Sequence, residues 1–148
     1  MALDLTGWTS RSVLLDTNAV IYFLANFDRY AAVLQPLFQA AASGQLALVV
    51  SVITEAEVRV RPEATGDQAA LAAIDEFFQR FPGLTVLSVD RAVARRAAQI
   101  RAEQRLRLPD ALIVATAQLA PCVAIVGNDL AWRGKTEPCE FTALGPLM

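Results

Sequence analysis

An α/β fold, a parallel sheet covered on both faces by helices, follows from three features of this 148-residue sequence. Its strand-length apolar runs are continuously hydrophobic, the pattern of strands buried on both faces. Between those runs lie longer segments whose apolar residues recur at helical spacing. Ser43-Gly44, Gly66-Asp67 and Pro82-Gly83 punctuate the alternation where turns are needed.

In order along the chain, Val13-Leu14-Leu15 predicts a short strand ending on Asp16, and Val20, Ile21 and Leu24 carry the helix after it. Residues 30–42 place Val33, Leu34, Leu37 and Phe38 on one helical face, and Ser43-Gly44 stops the helix. Residues 46–50 form a second strand. Ser51 or Thr54 can cap the following helix, which holds Glu55 and Glu57 and is expected to break between Arg61-Pro62 and Gly66-Asp67. A helix through Leu71, Ile74, Phe77 and Phe78 runs toward Pro82-Gly83. Residues 84–89 are the third strand, and Asp90 caps a helix toward Glu103. Pro109 opens a helix over 110–119. Residues 122–126 make the fourth strand, Gly127-Asn128-Asp129 turns out of it, and 139–143 form a short edge strand. No repeat, low-complexity tract or linker divides the chain, so residues 12–148 read as one domain behind a leader of residues 1–11.

Composition narrows the chemistry. With 55% apolar and 19% charged residues the chain is neither disordered nor fibrous. No apolar run is long enough to span a bilayer, and the N-terminus lacks the basic start and apolar stretch of a signal peptide; a cytoplasmic protein with no membrane partner is expected. Cys122 and Cys139 lie near candidate strands without a C-x-x-C arrangement, which predicts buried free thiols. Histidine is absent, which removes Ser-His-Asp and Cys-His catalysis and imidazole zinc sites. Carboxylates remain as the groups able to do chemistry.

Four of them stand where strands end or helices begin. Asp16 follows the first strand, Asp129 follows the fourth after a two-residue turn, Glu57 lies early on the helix after the second strand, and Asp110 opens a helix behind Pro109. In an open parallel sheet these positions all face the crevice at the carboxyl ends of the strands. Taken singly, each has a structural explanation as a helix cap, a turn residue or a solvated side chain. Together, crowded carboxylates raise one another's pKa, and a hard cation relieves the repulsion. An all-oxygen donor set favours Mg²⁺ or Mn²⁺. Such an ion can activate water and hold a phosphodiester, so metal-assisted phosphodiester hydrolysis is the predicted reaction class.

The runs Leu14-Leu15-Asp16-Thr17-Asn18-Ala19-Val20-Ile21, Ser51-Val52-Ile53-Thr54-Glu55-Ala56-Glu57-Val58, Pro109-Asp110-Ala111-Leu112-Ile113-Val114-Ala115-Thr116-Ala117 and Val126-Gly127-Asn128-Asp129 resemble, in order and spacing, the motifs of PIN-domain nucleases. The subgroup they resemble is the VapC-type toxins of bacterial toxin–antitoxin pairs. The resemblance implies a three-layer α/β/α sandwich around a mostly parallel sheet of four to five strands. It also implies a Mg²⁺- or Mn²⁺-dependent endoribonuclease that is usually a homodimer and is silenced by a cognate antitoxin. By position, Asp16, Glu57, Asp110 and Asp129 match the metal-binding and catalytic acids, and Asn18 and Asn128 would position water or substrate. Glu55 and Glu57 are both acidic, but a helix turns them about 200° apart, and the resemblance selects Glu57. Gly127 stands where a hydroxyl residue is common in the family. That departure opens a second reading: a PIN-like module, weak or inactive in catalysis, that binds RNA or a protein partner.

Between Arg91 and Arg107 six arginines face one acid, Glu103. At 100° per residue, Arg91, Arg95, Arg101 and Arg105 share an arc of about 120°, opposite Val93, Ala97 and Ile100. This face is either an ordinary solvated one or a ridge gripping RNA phosphates on the way to Asp110. No aromatic interleaving marks a base-stacking platform there.

Overall fold

The computed structural model describes residues 2–145. Strands β1 (Ser12–Leu15), β2 (Ala47–Ser51), β3 (Leu84–Leu87), β4 (Ala124–Gly127) and β5 (Glu140–Ala143) form one sheet of order β3-β2-β1-β4-β5. Every pairing is parallel. Helices α1 (Thr17–Leu24), α2 (Asp28–Ala42), α3 (Val52–Thr65), α4 (Gln68–Arg80), α5 (Arg91–Gln104) and α6 (Leu108–Leu119) make the connections.

The strands are short, and their side chains alternate between two cores. Val13 and Leu15 of β1, Leu48 and Val50 of β2, and Ala124 and Val126 of β4 point to one face, where Leu34, Leu37 and Phe38 of α2 and Ile74 and Phe77 of α4 cover them. Leu14, Val49 and Ile125 point to the other face, against Val93, Ala97 and Ile100 of α5 and Ile113 and Val114 of α6. The expected three-layer α/β/α arrangement is therefore observed, with helices on both faces of a five-stranded, wholly parallel sheet. β1 is the middle strand, and its Val13, Leu14 and Leu15 are fully buried. Ahead of β1, Leu3 and Trp8 are buried in the first core, and Ser10 N–H donates to the Gln45 carbonyl.

Local chemistry explains most element boundaries. Ser51 caps α3 by accepting from Ile53 N–H, and Asp90 caps α5 by accepting from Val93 N–H. One boundary falls at the far end of its expected range, and one differs from the sequence expectation. Helix α3 does not break at Pro62 but runs to Thr65 and ends at Gly66, whose φ of 68° closes it. Pro62 removes one helical hydrogen bond near the end of a helix that Val58 holds in the core, so the loss is tolerated. Helix α6 starts at Leu108 with Arg107 as its N-cap residue, so Asp110 lies inside the first turn rather than opening the helix. Both cysteines are free and buried, and burial pushes the Cys122 thiol up to about 12. No helix among the described residues is long and apolar enough to cross a membrane.

Candidate active site

Because β1 and β4 are neighbours whose onward connections depart to different faces, the crevice at their carboxyl ends is where an open sheet of this order binds ligands. Asp16 is the residue after β1 and the N-cap of α1, its Oδ1 accepting from Thr17 N–H at 2.6 Å. Asp129 follows β4 and caps the short turn Leu130–Trp132, accepting from Ala131 N–H at 3.0 Å. Helix α3 brings Glu57 over the sheet edge, and the first turn of α6 brings Asp110. A cavity of about 110 Å³ is lined by these four acids with Thr17, Asn18, Arg107 and Trp132.

Asp16 is the buried centre of the group, only 4% exposed. Burial drives its carboxyl from an ordinary 3.8 to about 7, the Thr17 N–H opposes that, and the charges of Asp110, Glu57 and Asp129 add to the rise. The neighbouring acids are held by chain donors. Thr17 Oγ1 donates to Glu57 Oε1 at 2.7 Å and lies 3.1 Å from Thr54 Oγ1, which is wholly buried. The Arg107 fork grips Asp110 through Nε to Oδ2 at 3.1 Å and Nη2 to Oδ1 at 3.2 Å.

Gly127 supports Asp16 directly. A Cβ at position 127 would lie 2.9 Å from both Cβ and Oδ2 of Asp16. The missing side chain is thus filled by the carboxylate, and the contact is to Asp16 and not to Asp129. Trp132, 1% exposed, lines the same cavity, and its indole Nε1–H has no acceptor among the described residues.

The structure brings together all four acids and Asn18 at this cavity, and Glu55 is not among the lining residues. Asn128 is placed elsewhere. Its Nδ2 donates to the hydroxyls of Tyr22 at 3.2 Å and Tyr30 at 3.3 Å, and its Oδ1 accepts from Gly145 N–H at 2.6 Å. It ties the turn after β4 to α1, α2 and the segment after β5, and sequence gave no hint of partners 98 to 106 residues away. Asn128→Ala should therefore destabilise the fold by about 1–3 kcal/mol, measured by denaturant titration; an unchanged midpoint would show the amide to be dispensable. Arg91, Arg95, Arg101 and Arg105 are exposed and are not among the lining residues. Arg105 is the C-cap of α5 with φ 58°, so the arc drawn for an unbroken helix ends before it, and Arg101 Nη1 donates to the Leu106 carbonyl at 2.6 Å. The arginine that does reach the acids is Arg107, three residues before Asp110, a spacing that could have flagged it. Thr17 was equally legible as the residue after Asp16.

A set of carboxylates with no nitrogen or sulfur donor suits a hard divalent cation. As the side chains stand, no three acids among the described residues converge closely enough to hold an ion directly. Mg²⁺ ordinarily keeps several waters and binds through one or two carboxylates, so these residues fit a hydrated ion. The buried, unpartnered Trp132 N–H agrees, because such a donor calls for a water or another ligand oxygen.

Sheet order and carboxylate-lined crevice together define an open-sheet α/β protein with an acidic site at its switch point. Within that class the chain belongs to the PIN domain family, whose sequence profile matches residues 13–134. Among solved structures, it is similar to DNA-bound VapBC from Salmonella typhimurium, at 22% identity over 90% of this chain and 98% of that one, with a TM-score of 0.71. It is also similar to a toxin–antitoxin complex from Klebsiella pneumoniae, at 25% identity over 82% and 91%, with a TM-score of 0.60. A third is VapC20 from Mycobacterium tuberculosis, described as a sarcin–ricin loop cleaving toxin, at 15% identity over 76% and 86%, with a TM-score of 0.58. No curated protein matches the chain.

Proposed function

We propose that this PIN-domain protein is a Mg²⁺- or Mn²⁺-dependent endoribonuclease and the toxin of a toxin–antitoxin pair. One observation carries the reading: Asp16, buried at the end of β1, faces Glu57, Asp110 and Asp129 across one small cavity and is pushed to about 7. A fold gains nothing from such an arrangement without a ligand, and perturbed carboxyls in a cleft mark functional sites. Asp16, Glu57, Asp110 and Asp129 would hold the ion. Bound there, it would supply Lewis-acid polarisation of a phosphodiester oxygen and a more acidic water. The chain's own contribution is positional. Thr17 fixes the Glu57 rotamer, Gly127 leaves room for Asp16, and Asn18, at the N-terminal turn of α1, orients water or phosphate among donors that favour an anion. The exposed Arg91, Arg95 and Arg105 lie outside the cavity and would meet the RNA backbone at a distance from the cut.

The similar VapBC and toxin–antitoxin complexes support an antitoxin partner, and the sarcin–ricin loop cleaving activity of VapC20 supports RNA as substrate. A groove of about 380 Å³ between α1, α3 and α4, lined by Ile21, Leu24, Phe27, Val58 and Ile74, runs up to Glu57 and would seat such a partner beside the acids. Phe27, Leu108, Leu119 and Leu130 are each about half exposed, apolar surface that a homodimer would cover. Incubated with total RNA, the purified protein should cut in Mn²⁺ or Mg²⁺ and stop cutting in excess EDTA. Cleavage that survives EDTA would overturn the metal-dependent reading. RNA or partner binding with no cleavage under any divalent ion would instead favour a non-catalytic module.

A further inference from the structure

We propose that Arg107 is an exchangeable counter-ion. It occupies Asp110 while the cavity lacks a cation, and it turns to a phosphate oxygen of the nucleic-acid backbone when a divalent ion takes the carboxylate. This rests on the metal-dependent reading above. The guanidinium engages both Asp110 oxygens at 3.1 and 3.2 Å, so an ion binding either oxygen at about 2.1 Å meets a positive group already seated there. The two partners are unequally fixed: the Asp110 side chain is 10% exposed and the Arg107 side chain 73%. Asp110 is held by the first turn of α6, whereas Arg107 stands on a long stem at the mouth and leaves at little desolvation cost. Arg107 is the one cation among the residues lining the cavity. Its planar fork fits phosphate as it fits carboxylate.

The test compares wild type, Arg107→Gln and Arg107→Lys in two measurements. In the first, Mn²⁺ is titrated into RNA-free protein and followed by electron paramagnetic resonance. Arg107→Gln should bind Mn²⁺ about two- to fivefold more tightly, the range an exposed ion pair contributes. In the second, cleavage of a defined RNA by Arg107→Gln should fall about tenfold or more in kcat/KM, with Arg107→Lys between the two because it keeps the charge and loses the fork. A purely structural role would weaken both together. Unchanged or weaker Mn²⁺ binding by Arg107→Gln, with a normal wild-type site, overturns the exchange; an unchanged kcat/KM overturns the phosphate contact. No Mn²⁺ binding by wild type overturns the metal-dependent reading itself.

Discussion

Asp16→Asn should abolish cleavage and at the same time make the metal-free protein more stable. The loss of activity, at least about a hundredfold, follows from removing the buried carboxylate at the centre of the acid cluster. The gain in stability follows from linkage. Asp16 rises from 3.8 to about 7 on folding, mainly through burial. Below pH 4 both folded and unfolded chains keep the proton and nothing is lost. As pH rises from about 4 to about 7 the unfolded chain ionises first, and stability falls. Above pH 7 the full cost stands, on the order of 4 kcal/mol. Asparagine carries none of that cost and still accepts from Thr17 N–H. In EDTA the variant should melt on the order of 10 °C above wild type at pH 8 and level with it at pH 4. Mn²⁺ should narrow the gap at pH 8 by stabilising wild type alone. An equal melting difference at both pH values would show that Asp16 is not titrating as its burial requires.

Gly127→Val should nearly silence the protein from a position that has no functional group of its own. The added Cβ would stand 2.9 Å from Cβ and Oδ2 of Asp16. Neither strand can retreat, because β1 and β4 are paired in register from Val13↔Ala124 to Leu15↔Val126 with all these side chains buried. Rotating the Asp16 carboxylate relieves the Oδ2 contact alone, so the contact with its Cβ strains the β1–β4 pairing and displaces the carboxylate with it. Overpacking of this kind costs about 1–3 kcal/mol of stability, and cleavage should fall about a hundredfold, since misplacing a reacting group by an ångström has that effect. Gly127→Ser should lose less, because its hydroxyl can hydrogen-bond the displaced carboxylate. A Gly127→Val protein that cuts at the wild-type rate would show that Asp16 has room the packing denies it.

Much of this architecture was legible because it is local. Continuous apolar runs such as Leu48-Val49-Val50 mark buried strands, and Ser51 and Asp90 mark helix starts through caps that reach only two or three residues. Asp16, Glu57, Asp110 and Asp129 were visible as strand-end and helix-start acids for the same reason. The end of α3 was legible as well, since Gly66 supplies the positive φ that closes it. Asn128 misled because its partners, Tyr22, Tyr30 and Gly145, are remote in sequence. The arginine face of α5 satisfied helical periodicity, yet the cation that matters to the acids, Arg107, lies beyond the helix end.

The sequence by itself determined a parallel α/β sheet, the edge on which four carboxylates stand, and the exclusion of histidine chemistry, since periodicity, capping and residue type are properties of neighbouring positions. Tertiary structure alone decided that Asp16 is buried enough to hold its proton near neutrality, that Gly127 makes room for it, and that Thr17 holds Glu57. Each of those depends on solvent exclusion and on distances of about 3 Å between groups from different elements, and no spacing along the chain encodes either.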